Sequence, residues 1–258
     1  MINLQEKVCV VTGAAKSIGY GIASSYAEQG AKVALLDIDP KVQESAKHLE
    51  SQGYQAKGYV LDITDKHAVE ACFADIAAVL GPVFCLVNNA GVVDQRPFEE
   101  VTTETLELMF KVNVYGTVYC TQEAVKTMKT LGNGRIINFS SKSGKTGSAL
   151  MVPYSAAKGS IIALTQALAF EYADSNIKIN CICPGITDAT GVWSNVSEGY
   201  TKNLNMPKEE VVKKFTAKIP LKRLTRIEDV VEFVSFLTVS GDYCTGQAFN
   251  ITGGREMH

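Results

Sequence analysis

Short runs rich in Val, Ile, Leu and other apolar residues recur along the chain at 7–12, 32–37, 56–62, 83–88, 135–140, 177–182 and 247–251. Their apolar character is nearly continuous, as expected of strands buried on both faces. Between them, 18–29, 40–52, 66–80, 102–129, 154–173 and 228–237 carry apolar residues at helical spacing. Strand and helix therefore alternate throughout, which predicts an α/β fold: a doubly wound parallel sheet with right-handed crossovers and helices on both faces. The stretch 186–218 departs from the alternation; it is polar, and Gly191, Trp193, Gly199 and Pro207 interrupt any single period. A long excursion there reads as a substrate loop or lid.

Composition narrows the class. With 258 residues, 46% hydrophobic and 20% charged, and a formal net charge of -2, the chain suits one soluble globular domain with a large core. No block of Lys and Arg marks a nucleic-acid or anionic-membrane surface, and no apolar run approaches a membrane span. The seven cysteines are scattered without C-x-x-C spacing, which argues against a disulfide framework and for a reducing, cytoplasmic compartment. Cys181 and Cys183 would share a strand face and read as two small buried side chains. Three histidines and no paired Cys/His ligands leave no material for a metal site, and Met1–Lys7 has no signal-peptide pattern.

The first strand runs into Thr12-Gly13-Ala14-Ala15-Lys16-Ser17-Ile18-Gly19 and then into a helix. In that context a glycine-rich turn brings a pyrophosphate onto helix N–H groups, although glycine turns between strand and helix are common in themselves. Asp37 closes the second strand, about 20 residues on, where a carboxylate accepts from the adenosine ribose hydroxyls; the plainer alternative is that it caps the next turn. A carboxylate there repels a 2′-phosphate and favours NAD over NADP, while Lys16 in the turn carries the contrary sign.

Of ten tyrosines only Tyr154 has a Lys four residues later. On a helix the two lie on one face, so the ammonium of Lys158 can sit beside the phenol and favour its ionised form. Tyr154 could then exchange a proton with an alcohol as hydride leaves or joins its carbon; a buried Tyr beside a solvated Lys is the plainer reading.

These residues resemble the classical short-chain dehydrogenases/reductases. The family's glycine turn matches Gly13 and Gly19, its aspartate after the third strand Asp62, and its Asn-Asn-Ala-Gly strand end Asn88 to Gly91. Its helix asparagine matches Asn113, its active serine Ser141, thirteen residues before Tyr154, and its later Pro-Gly and Gly-Gly pairs Pro184-Gly185 and Gly253-Gly254. The resemblance spans essentially the whole chain and implies a single Rossmann-like domain that binds a nicotinamide dinucleotide. It implies Ser141, Tyr154 and Lys158 as catalytic residues, with Asn113 completing a proton relay; a polar residue bonding locally inside its helix is the alternative for Asn113. It also implies that Gly13, Ser17, Ile18 and Gly19 cradle the pyrophosphate, that Asp62 and Ile63 flank the adenine, and that Asn89, Ala90 and Gly91 line the dinucleotide. Pro184, Gly185 and Thr187 would anchor the nicotinamide, with Tyr154 and Lys158 at its ribose. Ser17 departs from the family, which has a glycine there for close backbone approach. A homotetramer is implied too, and Gly159, Ala163 and Ala167 would let a neighbouring subunit's helix pack closely.

Two segments, Ser140 to Lys145 and parts of Ile219 to Gly254, are similar to the sorbitol-6-phosphate 2-dehydrogenases, one branch of that family. They suggest a secondary alcohol or ketone substrate, a polyol or its phosphate. Lys142 and Lys145 follow the catalytic serine, where cations could meet a substrate phosphate; surface lysines without a partner are the alternative. A small ketone such as acetoin, a 3-oxoacyl thioester, and a dinucleotide sensor without turnover stay open.

Overall fold

The computed structural model describes residues 2–188, 190 and 207–257, apart from the side chains of Lys208 and Val211. These residues form one seven-stranded sheet, every strand parallel to its neighbours. In chain order the strands are β1 (Val8–Thr12), β2 (Lys32–Asp37), β3 (Ala56–Val60), β4 (Val83–Asn88), β5 (Gly134–Phe139), β6 (Ile177–Pro184) and β7 (Ala248–Ile251). Their order across the sheet, β3-β2-β1-β4-β5-β6-β7, makes the fold doubly wound, with the reversal between β1 and β4. In such sheets ligands bind outside the carboxyl ends of the strands at that reversal.

Every residue of β1, β4 and β5 is buried, matching the nearly continuous apolar runs, although β5 also buries Arg135 and Asn138. Alternate residues of one strand feed separate cores. Cys9 and Val11 face one side with Ile22, Tyr26, Val230 and Leu237, while Val8 and Val10 face the other with Phe73, Ile76, Ala124 and Met128. The helices are α1 (Ser17–Glu28), α2 (Val42–Ser51), α3 (Lys66–Val79), α4 (Thr103–Phe110), α5 (Thr117–Leu131), α6 (Lys142–Thr146), α7 (Val152–Glu171), α8 (Lys208–Thr216) and α9 (Ile227–Val239). None of the described helices is long and apolar enough to cross a membrane. The seven cysteines are free thiols; Cys181 and Cys183 are both fully buried on one face of β6 beside Ile161.

Three expectations change. The helix expected over 102–129 divides into α4 and α5 around a π-helical turn, Lys111–Gly116. Such a turn takes a carbonyl out of the regular ladder, and here the Met109 carbonyl accepts from the Asn113 side chain at 2.9 Å. The third strand stops at Val60 instead of Asp62, and the sixth continues through Pro184 instead of ending at Ile182. Of the expected loop over 186–218, residue 189 and residues 191–206 lie outside the described residues, and α8 occupies most of the remainder.

Candidate active site

The dinucleotide end is made mainly of backbone. Thr12 Oγ1, at the end of β1, accepts from the backbone N–H of Asn89 at 3.1 Å and of Ala90 at 3.0 Å. Asn89 Nδ2 donates back to the carbonyls of Thr12 and Gly13, each at 3.0 Å. These bonds join the carboxyl ends of β1 and β4 where the sheet reverses. Gly13 has φ +66°, and a Cβ on Gly19 would stand 2.1 Å from the Gly13 carbonyl oxygen, so the turn closes only with glycine at both places. Ser17, where the resembled family has glycine, opens α1 with φ +53°. A side chain in that region costs about 1–2 kcal/mol and persists only where its surroundings hold it.

Asp37 accepts from the Ala15 backbone N–H at 2.9 Å and from that of Asp39 at 3.0 Å. It therefore caps the following turn, as the plainer reading had it, and also holds its carboxylate against the glycine turn. Asp62 is exposed and accepts from the Thr64 N–H at 2.9 Å, whereas Ile63 is buried against the open face of Gly116. An open glycine turn beside a strand-end carboxylate, above a helix N-terminus, fits a dinucleotide with its pyrophosphate at Gly13 to Gly19 and its adenosine ribose at Asp37.

The catalytic end is made of side chains. Tyr154 and Lys158 stand one turn apart on α7, 8% and 4% exposed, with the ammonium 5.8 Å from the phenol ring centroid. Lys158 Nζ donates to the Phe139 carbonyl at 2.8 Å, and burial pulls its pKa down to about 8. Burial also raises the Tyr154 pKa, opposed by a hydrogen bond with Ser141. Ser141 caps α6, its Oγ accepting from the Ser143 N–H at 3.1 Å. A Cβ on Gly144 would stand 2.6 Å from Ser140 Oγ and 2.7 Å from the Lys158 backbone, so this glycine lets α6 lie close on α7. The fully buried Asn113 donates to the Val92 carbonyl at 2.9 Å and accepts from the Val92 N–H at 3.3 Å, besides its bond to Met109. Its side chain thus satisfies its own helix locally, as the alternative reading had it, and also ties the segment following β4 to that helix.

Asn89, Gly91, Asn113, Ser141, Tyr154 and Lys158 line one cavity of about 490 Å³, together with Ile18, Pro184, Gly185 and Thr187. That volume lies within the usual range for small-molecule sites. Lys142 also lines it, donating to the Gly147 carbonyl at 2.9 Å. Lys145 does not: it turns to the β7 carbonyl of Ala248 at 2.6 Å, because β7 runs along that side of α6. Lys214, Phe215, Lys218 and Arg255 line the cavity without having been anticipated. No local spacing marks them. Gly253 and Gly254, at φ +63° and +88°, lay the C-terminal segment on Ile219 and Pro220 and so carry Arg255 to the cavity.

A family model described as short chain dehydrogenase matches residues 7–201. The chain is 34% identical over 259 residues to sorbitol dehydrogenase of Cereibacter sphaeroides, covering 99% of this chain and 100% of that one. The solved structure of NAD+-bound xylitol dehydrogenase matches with a TM-score of 0.93 at 29% identity, covering 98% of this chain and 100% of that one. Sorbitol-6-phosphate 2-dehydrogenase from Erwinia amylovora also matches with a TM-score of 0.93, at 32% identity, covering 97% of this chain and 100% of that one. The serine, tyrosine and lysine gathered beside a dinucleotide turn are thus set in a chain that matches those relatives over nearly its whole length: it belongs to the short-chain dehydrogenase family of oxidoreductases.

Proposed function

We propose that this protein is an NAD-dependent dehydrogenase that interconverts a secondary alcohol of a polyol, or of its phosphate, with the corresponding ketone. The convergence of Ser141, Tyr154 and Lys158 in one cavity with Ile18 of the glycine turn carries the reading. The polyol assignment draws support from the names of the relatives, and NAD from the Asp37 carboxylate facing the glycine turn. The Ser141 hydroxyl donates to the substrate oxygen and holds it beside Tyr154. In reduction the Tyr154 phenol, protonated at neutral pH and more so for its burial, gives its proton to the oxygen. In oxidation the phenolate takes the alcohol proton, and the neighbouring Lys158 ammonium stabilises that anion. Bound nicotinamide supplies the acceptor or donor of the hydride at carbon.

Asn113 acts as a positioning residue, holding the Gly91–Val92 segment beside the Lys158 ammonium. Residues 186–218 act as the substrate loop. A cytoplasmic homotetramer completes the proposal: Ala163 and Ala167 are exposed on α7, as is Phe170 at 87%, leaving a helix face for a second subunit. Light scattering in solution measures that assembly.

The functional test is reduction of NAD and of NADP, followed by nicotinamide absorbance, with sorbitol 6-phosphate, mannitol 1-phosphate, sorbitol, galactitol and 2,3-butanediol, and with the matching ketones in reverse. Turnover of polyols with NAD is the expected result. Turnover of 2,3-butanediol alone moves the substrate to small ketones, and silence with every compound overturns the polyol assignment.

A further inference from the structure

One wall of the cavity carries Lys142, Lys214, Lys218 and Arg255, and among the described residues no Asp or Glu lines it. Glu256 is the nearest opposing charge, 3.4 Å from Arg255 Nε and 3.9 Å from Lys142 Nζ. One carboxylate cannot balance four cations, and neither Lys214 nor Lys218 has an ion-pair partner among the described residues. Lys142 and Arg255 are withdrawn from water, with side chains 17% and 18% exposed. Burial lowers the Lys142 pKa, and Arg255 lowers it further, as expected of cations held together without enough counter-charge.

Arg255 is also held in place. The Glu256 N–H donates to Thr252 Oγ1 at 3.2 Å, while the Glu256 carbonyl accepts from Asn250 Nδ2 at 3.2 Å and Thr252 Oγ1 at 3.3 Å. The backbone beside Arg255 is therefore pinned, and its guanidinium lies 5.5 Å from the Phe215 ring centroid. Two partly desolvated cations, Lys142 and Arg255, the latter on a pinned backbone, with the exposed Lys214 and Lys218 beside them and little counter-charge, face a cavity and are arranged for an oxyanion brought by a ligand.

Building on the dehydrogenase reading above, we propose that Lys218 and Arg255, with Lys142 and Lys214, bind a phosphomonoester on the substrate, so that the preferred substrate is the phosphorylated polyol. The excess positive charge of the wall suits a dianion better than a single carboxylate, and the planar guanidinium of Arg255 suits a phosphate oxygen pair. The residues differ from those that the sequence suggested. Lys142 stays, Lys145 leaves for β7, and the main contribution comes from the segments around α8 and after Gly254.

The test is calorimetric titration of sorbitol 6-phosphate and of sorbitol into the protein saturated with NADH, so that the dinucleotide fills its own phosphate site. Sorbitol 6-phosphate is expected to bind at least about tenfold more tightly, as for one or more charge-assisted hydrogen bonds. Added NaCl, Arg255→Ala and Lys218→Ala are each expected to shrink that gap, with Arg255→Lys intermediate. Equal affinity for the two ligands overturns the phosphate site and leaves the dehydrogenase intact. If neither polyol binds, the polyol assignment falls, and the cation cluster is read by inorganic phosphate alone. A rise in Tm with millimolar phosphate in the NADH complex, lost in the Arg255→Ala/Lys218→Ala double variant, supports the site; an equal rise in both proteins, or none, overturns it.

Discussion

Two neighbouring regions at the carboxyl ends of the strands, the glycine turn and the cavity beside it, are built from different materials. At the glycine turn the fit is set by backbone: Gly13 and Gly19 leave no room for a Cβ, and Thr12 and Asn89 work by bonding main-chain groups. At the catalytic end the fit is set by side chains from β5, α6 and α7, held by burial and by bonds such as Lys158 to the Phe139 carbonyl. A site made of backbone serves any ligand with the same phosphates. A site made of side chains can be retuned for a new alcohol without disturbing the turn.

The contrast can be broken at either end. The largest effect is expected of Tyr154→Phe, which removes the hydroxyl beside Lys158 that the proposed mechanism uses to transfer the proton. Turnover should fall about 10²- to 10⁴-fold, while calorimetry still detects NADH binding. An active Tyr154→Phe enzyme would mean that another group moves the proton; a dinucleotide sensor would hardly notice the change. Gly19→Ala attacks the other end, since its Cβ would stand 2.1 Å from the Gly13 carbonyl oxygen. The turn must shift, at a cost of about 1–3 kcal/mol, so NADH affinity should fall about tenfold or more. Retention of wild-type affinity would show that the turn is not the dinucleotide site.

Lys158→Met separates stability from chemistry. The Lys158 pKa is about 8 in the fold against 10.5 for the free side chain, because burial disfavours the ammonium. Between those values the unfolded chain binds more protons than the folded one, so stability should rise with pH through that interval, by about 3 kcal/mol in all. Denaturant unfolding of wild type and Lys158→Met, compared at each pH, should reveal that rise only in the wild type. The variant should lack turnover yet be no less stable at neutral pH, as the relief of a buried charge offsets the unpaired Phe139 carbonyl. A wild-type stability that falls relative to the variant over the same interval contradicts the assigned burial. The smallest effect is expected of Ser17→Gly, which releases a side chain from φ +53° and should raise stability by at most about 1 kcal/mol, measured as Tm. A lowered Tm would mean that the serine holds the turn better than the glycine it replaces.

Much of this was legible without coordinates, because it rests on local periodicity and on residues with few conformational alternatives. Nearly continuous apolar runs became the buried strands β1, β4 and β5, and the Tyr154 to Lys158 spacing became one face of α7. Gly13 and Gly19 marked a turn that tolerates nothing larger. Asn113 was visible as a residue to watch, but not the π-helical turn around it, since such a turn is a property of the helix backbone rather than of any residue type.

What only the tertiary structure decided is where flexible, charged side chains end. Lys142 and Lys145 stand three residues apart on α6, yet one lines the cavity and the other bonds β7, because a strand distant in sequence passes on that side. Lys218 and Arg255 lie far apart in the chain from Ser141 and share no spacing with it, yet all three line the same cavity. The amino-acid sequence by itself determined the doubly wound sheet, the tight glycine turn after β1 and the helix that carries Tyr154 and Lys158 on one face, since each follows from steric limits and burial over a few neighbouring residues. The charge of the cavity lining was decided only when α6, the segment around α8 and the chain after Gly254 came together, since a long cationic side chain has no preferred partner until the fold supplies one.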